Sequence, residues 1–175
     1  MFQRITEKTF DTVYPLLETA FPITELREKD RQKALLKEPC YRLYGVPVDN
    51  EMRAVFAVWE IEDFLYIEHF AVREDCRNGG FGGQLLDRLI AETGKPAVLE
   101  VEVPEDEMTR RRIGFYERHH FVYNTYPYLQ PPMRSGQSML PLMLMTTPDA
   151  INETTYERYK TLIHRIVYHY EEGRQ

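Results

Sequence analysis

Four glycines fall within five positions, at 79, 80, 82 and 83, inside the run RNGGFGG that spans residues 77–83. Glycine gives up more backbone freedom on ordering than any other residue, so this run is a poor helix or strand interior and a good tight loop. Its flanks say what kind of loop. The preceding FLYIEHFAV (64–72) is apolar on both faces except at Glu68 and His69, the mark of a central strand with helices on at least one side. After the loop, Leu85, Leu86, Leu89 and Ile90 form one helical stripe that Gly94 and Pro96 close. Strand, glycine loop and helix in that order bring several main-chain N–H groups to one point at a helix N-terminus. Such a point stabilises an anion, and a pyrophosphate in particular. Arg77 adds a fixed positive charge at the loop entrance.

Two familiar phosphate loops can be tested against these residues. A Walker A loop ends in Gly-Lys-Ser/Thr, whereas this one ends Gly83-Gln84-Leu85 and fails. A dinucleotide fingerprint needs GxGxxG in a parallel βαβ unit. Here Leu85 stands at the third glycine position after Gly80 and Gly82, and the strand before the loop ends an antiparallel meander.

That meander is read from Tyr41–Val48, Arg53–Ile61 and Phe64–Val72, separated by Asp49-Asn50 and Glu62-Asp63 as tight turns. Ahead of it lie a short strand at 2–5, a helix opening at Thr6, and a helix over 25–37 that Pro39 closes. After the loop helix come a strand over 97–103, a helix opening on Glu105-Asp106-Glu107, strands at 121–126 and 139–145, and an amphipathic terminal helix opened by Thr147-Pro148-Asp149. The expected fold class is α+β, a mixed α/β sheet. At 175 residues one domain is expected. The net charge of −6 argues against a broad nucleic-acid footprint, and no apolar run reaches the ~20 residues of a membrane span. MFQRITEKTF lacks the apolar stretch of a secretory signal, and Cys40 and Cys76 form no CxxC, so a cytoplasmic protein without a metal is expected.

The stretch YIEHFAVREDCRNGGFGGQLLDRLI resembles the acyl-CoA signature of the GNAT superfamily of N-acetyltransferases. The core Arg/Gln-x-x-Gly-x-Gly/Ala stands as Arg77, Gly80 and Gly82, and the strand end before it as Phe70-Ala71-Val72. A second element, a Tyr a few residues before a final Gly-Phe, stands as Tyr116 and Phe121 in IGFYERHHF, with His120 replacing the usual Gly. Thr109 stands where the family often has Asn. The resemblance covers roughly residues 2–146 and is strong over 64–121. It implies a mostly antiparallel twisted sheet flanked by helices over 1–146. The segment 147–175 is then an extra helix that covers the same domain or a partner chain, and a homodimer is one outcome of the latter.

The implied reaction is direct transfer of an acetyl group from acetyl-CoA to a primary amine of a small molecule. The rivals are a peptide or protein amine and a non-catalytic acyl-CoA sensor. The implied cofactor contacts are Phe70, Ala71, Val72, Arg77, Asn78, Gly79, Gly80, Phe81, Gly82 and Gly83. Tyr116 is the implied acid beside the CoA sulfur, or else a core aromatic. Glu68 is the candidate base if apolar neighbours raise its pKa, or else a member of an ion pair. His69 reads as a core histidine on the opposite face. Glu100 and Glu102 share one strand face and either extend an acidic acceptor pocket or meet solvent. The 21–38 region and the 124–138 loop, with Tyr123, Tyr126, Tyr128 and Met133, are the implied acceptor walls. Arg110–Arg112 reads as a solvated face, and Cys76 as an inert neighbour of the loop.

Overall fold

The computed structural model describes residues 1–171. Eight strands form one sheet: β1 (Gln3–Arg4), β2 (Tyr41–Val48), β3 (Glu51–Ile61), β4 (Phe64–Val72), β5 (Ala97–Glu102), β6 (Val122–Tyr123), β7 (Tyr128–Gln130) and β8 (Leu140–Thr147). Their order across the sheet is β1-β2-β3-β4-β5-β8-β6, with β7 also on β8. The helices are α1 (Tyr14–Ala20), α2 (Lys29–Ala34), α3 (Phe81–Thr93), α4 (Glu107–Arg118) and α5 (Glu153–Val167). The class is mixed α/β with a mostly antiparallel sheet, as the sequence implied.

The meander folds where short polar residues accept left-handed backbone. Asp49 and Asn50 take φ of 52° and 63° at the β2–β3 turn, and Glu62 takes 43° at the β3–β4 turn. Helices cover both faces. Tyr41, Val55, Trp59, Phe64 and Tyr66 pack under α1 and α5, while Phe56, Val58, Leu65, Ile67 and Leu99 pack under α3 and α4. The apolar stripe of α5 is used within the chain: Tyr156, Tyr159, Leu162, Ile163 and Val167 are all buried. Arg158 fastens the helix to the β3–β4 turn through Glu62 and Asp63.

Two irregularities create the cleft. Ala57 pairs with His69 and Val58 with Ile67, so Glu68 is the extra residue of a β-bulge in β4. A bulge bends its strand and sharpens the twist. Beside it, β4 and β5 pair in parallel only over Leu65↔Ala97, Tyr66↔Val98 and Ile67↔Leu99. Beyond those pairs β4 runs on to Val72 and β5 to Glu102 with no ladder between them, so the sheet opens there.

Several elements differ from expectation. The first helix is split into a 3-10 turn at Phe10–Thr12 and α1, because Pro15 suits the first turn of a new helix but not the middle of an old one. The second is only α2 followed by a 3-10 turn at Leu35–Lys37. The strand at β7 was not foreseen, since a three-residue strand between prolines carries no alternation. The terminal helix starts later, at Glu153, where the Asn152 side chain accepts from the Thr155 N–H at 2.9 Å. Thr147 instead ends β8.

Candidate active site

A cleft of about 770 Å³ lies where β4 and β5 part. Its first end is the glycine loop. Asn78 (φ 66°) and Gly80 (φ 76°) are left-handed, and Gly80 is the N-cap of α3. Gln84 N–H donates to the Gly80 carbonyl at 3.1 Å. The N–H groups of Phe81, Gly82 and Gly83 precede that bond and have no acceptor within the helix. A Cβ on Gly82 would sit 3.2 Å from Val72 Cγ2, and one on Gly83 would sit 2.3 Å from the His119 ring. The glycines therefore let the helix start approach both β4 and α4 closely. His119 is held by Asp87, with Nδ1 2.8 Å from Oδ1. The Arg77 side chain folds back, its Nε donating to the Val72 carbonyl at 2.8 Å. Free N–H groups, bare Cα atoms and a cation at one cleft end suit a diphosphate.

The predicted loop residues divide. Phe70, Ala71, Val72, Arg77, Asn78, Gly80, Gly82 and Gly83 line the cleft. Gly79 and Phe81 do not. Gly79 has no neighbour near its missing Cβ, and Phe81 turns to pack on the core under α3. Thr109 is committed to a capping box with Asp106. Tyr116 lines the middle of the cleft, wedged between Phe115 and Phe121 at ring distances of 5.2 and 5.7 Å. Burial pushes its phenol up to about 12, so it stays protonated at neutral pH.

The other end is walled by Phe21 and Glu25 from the α1–α2 connection, by Gln130 and Met133, and by Glu100 and Glu102 of β5. Tyr128 is buried behind this wall, Tyr126 stacks on Tyr156, and Tyr123 lies outside it. Two glutamates meet the cleft floor in different ways. Glu68 turns its side chain wholly away from solvent, onto the Arg27 guanidinium and the Trp59 Nε1–H (3.0 Å). Burial alone would raise its pKa, but Arg27 and these hydrogen bonds outweigh that and hold it below the usual carboxylate range. The expectation of a raised Glu68 pKa is thus corrected, because the bulge sends the side chain into an ion pair. Arg27 also donates to the Val167 carbonyl at 2.9 Å and lies 5.7 Å from the Tyr168 ring centre.

Among the described residues no cation hydrogen-bonds to Glu100. It accepts from the Tyr128 hydroxyl and from the Tyr168 hydroxyl (2.9 Å), and the Tyr66 and Tyr168 hydroxyls are 3.0 Å apart. Burial, opposed by these phenols, pushes it up to about 7. Glu102 instead pairs with Arg112 at the half-exposed rim. His69 is buried, with Nε2 2.7 Å from the Glu25 carbonyl, which fixes the proton on Nε2; burial keeps the ring neutral. It therefore ties the α1–α2 connection to β4.

Sequence reasoning missed Arg27 and Tyr168 outright and weighed Glu100 only as a pocket wall. LREKDRQK reads as a solvated charge run, and nothing in it singles out the one buried arginine. Tyr168 sits in an aromatic tail whose reach back to β5 only the packing of α5 determines.

Among the described residues no helix is long and apolar enough to cross a membrane, and no cluster of three or more His, Cys, Asp or Glu is placed to hold a metal. The profile of the Acetyltransferase (GNAT) family matches residues 10–121. YjbC of Bacillus subtilis (strain 168), a provisionally assigned acetyltransferase, is 37% identical over 112 residues. That match covers 63% of this chain and 56% of YjbC, so it spans little more than half of the relative's length. A provisionally assigned GNAT-family acetyltransferase from Bacteroides thetaiotaomicron has the same structure with a TM-score of 0.91 at 34% identity, covering 98% of this chain and 99% of its own. A GNAT family acetyltransferase from Elizabethkingia anophelis, solved with acetyl-CoA bound, shares the fold at a TM-score of 0.60 and 21% identity, covering 83% of this chain and 95% of its own. With the family profile over most of its length and a family structure aligned nearly end to end, this chain belongs to the GNAT family of acetyltransferases.

Proposed function

We propose that the chain transfers the acetyl group of acetyl-CoA to an amine, with Glu100 receiving the proton and Tyr116 stabilising the leaving thiolate. The observation that carries this reading is the open seam between β4 and β5, with the glycine loop at one end and, at the other, Glu100 as the carboxylate that hydrogen-bonds to phenols and not to a cation among the described residues. Acetyl-CoA, when bound, supplies the activated thioester. Everything else falls to the residues of the chain.

The N–H groups of Phe81, Gly82 and Gly83 and the charge of Arg77 would hold the diphosphate. Past Ile67, the β5-facing edge of β4 has no sheet partner, which leaves main-chain donors for an acyl oxygen. An alkylammonium of pKa ~10.4 is rarely neutral at pH 7, a deficit of about 4.6 kcal/mol. A carboxylate poised near neutrality, directly or through one water, removes that proton efficiently. Glu68 cannot do so while it neutralises Arg27. Tyr116 acts by hydrogen bonding rather than by full proton transfer, since its pKa of about 12 lies well above that of a thiol (~8.5). No cysteine or serine lines the cleft among the described residues, which supports direct transfer over an acyl-enzyme.

Thiol release from acetyl-CoA with a panel of amines tests the reading. Wild type should turn over. Glu100→Gln should lose about 10²–10⁴-fold in kcat/KM while still showing a thermal shift with acetyl-CoA. Binding of acetyl-CoA without thiol release from any amine would identify a sensor instead.

A further inference from the structure

The acceptor end of the cleft carries more acid than a single amine needs. Glu25, Glu100 and Glu102 all line it. Glu102 is engaged by Arg112, and burial and the nearby Glu102 raise the pKa of Glu25. Carboxylates alone would suit a diamine as well as a monoamine. Gln130 decides between them. It is 2% exposed, it lines the cleft, and its Nε2 has no hydrogen-bond partner among the described residues. A buried amide N–H left without an acceptor is costly, and such groups are normally satisfied. The main chain of Gln130 is already paired with Leu140 in the sheet, so the open capacity belongs to the side chain.

The geometry points to an acceptor that carries an amide beside its amine: an amino-acid amide or the N-terminus of a peptide, its amine at Glu100 and its amide against Gln130. This rests on the amine-acetylation reading above. A carboxamide offers one donor end and one acceptor end. Another amide, with its own C=O and N–H, satisfies it whichever way the Gln130 group is turned. The second ammonium of a diamine can only donate, so it leaves the Gln130 Nε2 without an acceptor. A free amino acid offers the Gln130 amide an acceptor carboxylate but no amide N–H, and so satisfies one end only. Placement agrees. Tyr128 and Gln130 are two apart on β7 and point to the same side, about 7 Å along the strand. Tyr128 hydrogen-bonds Glu100, and Glu100 and Gln130 both line the cleft.

The test compares kcat/KM for alaninamide, an alanine-led tripeptide amide, free alanine, propylamine and 1,3-diaminopropane, read as thiol release. The amide-bearing acceptors should exceed propylamine, diaminopropane and free alanine by at least about tenfold. A further advantage of the tripeptide over alaninamide identifies a peptide end, and equality identifies a small amide; both support the proposal. In Gln130→Met, which keeps length and burial, the ratio of alaninamide to propylamine should fall about tenfold or more, with folding checked by the thermal shift on acetyl-CoA. Turnover with no preference for amides, or a preference that survives in Gln130→Met, overturns the proposal alone. No thiol release from any acceptor overturns the underlying reading and this proposal with it.

Discussion

Glu68 on β4 and Glu100 on β5 flank the parted seam, the Glu68 side chain closed to solvent and Glu100 half-buried. Yet burial leaves one below the ordinary carboxylate range and lifts the other to about 7. The difference lies in the neighbours. Glu68 touches a guanidinium and an indole N–H, and a full opposite charge more than compensates for lost water. Among the described residues Glu100 hydrogen-bonds only to phenols, whose dipoles soften but do not cancel the desolvation of a charge. One carboxylate is therefore part of the scaffold, and the other is free to change its proton.

The contrast is most exposed by exchanging each carboxylate for an amide. Glu100→Gln should lose about 10²–10⁴-fold in kcat/KM without loss of stability. The sign follows from linkage. With its pKa raised from 4.5 to about 7, the folded chain binds more protons than the unfolded one between those values. Stability thus declines as pH rises through that window and is flat above it. A neutral amide avoids the decline, so Glu100→Gln should melt at or above the wild-type temperature at pH 8. Equal activity in the variant would return the base role to another group.

The mirror experiment is Arg27→Met. Leaving Glu68 buried and unpaired should cost about 3–5 kcal/mol, measured by denaturant unfolding. A loss under about 1 kcal/mol would show that the pair is as replaceable as a surface one. At the cradle, Gly83→Ala forces the His119 ring to move, which should raise KM for acetyl-CoA several-fold with kcat little changed, and adding His119→Ala should restore it. The smallest effect separates the two carboxylates by pH alone. The wild-type rate should rise with pH through about 7, and Tyr168→Phe, by removing one phenol from Glu100, should move that limb upward.

Half of the cleft was legible in the sequence because its chemistry is local. The glycines at 80, 82 and 83, the strand before them and Tyr116 in its helix, all of which line the cleft, stand out within a few residues of themselves. The acceptor half is assembled by long-range contacts. Arg27 meets Glu68 41 positions away, and Tyr168 meets Glu100 68 positions away. No periodicity records such meetings. The bulge at Glu68 was hidden for the same reason: it is visible only as the residue for which β3 has no partner. Strands of two or three residues such as β6 and β7 hold too few side chains for alternation to stand out.

The two halves also draw on different parts of the chain. The cradle and its flanking strand come from the middle, whereas the floor and walls at the far end take Gln130, Met133 and Tyr168 from beyond residue 121, the last that the family profile matches. Selectivity can then drift through substitutions near the end of the described chain while the nucleotide-gripping centre stays untouched. The Tyr168 hydroxyl that donates to Glu100 belongs to that far region, so a change there reaches the cleft floor without touching the glycine loop.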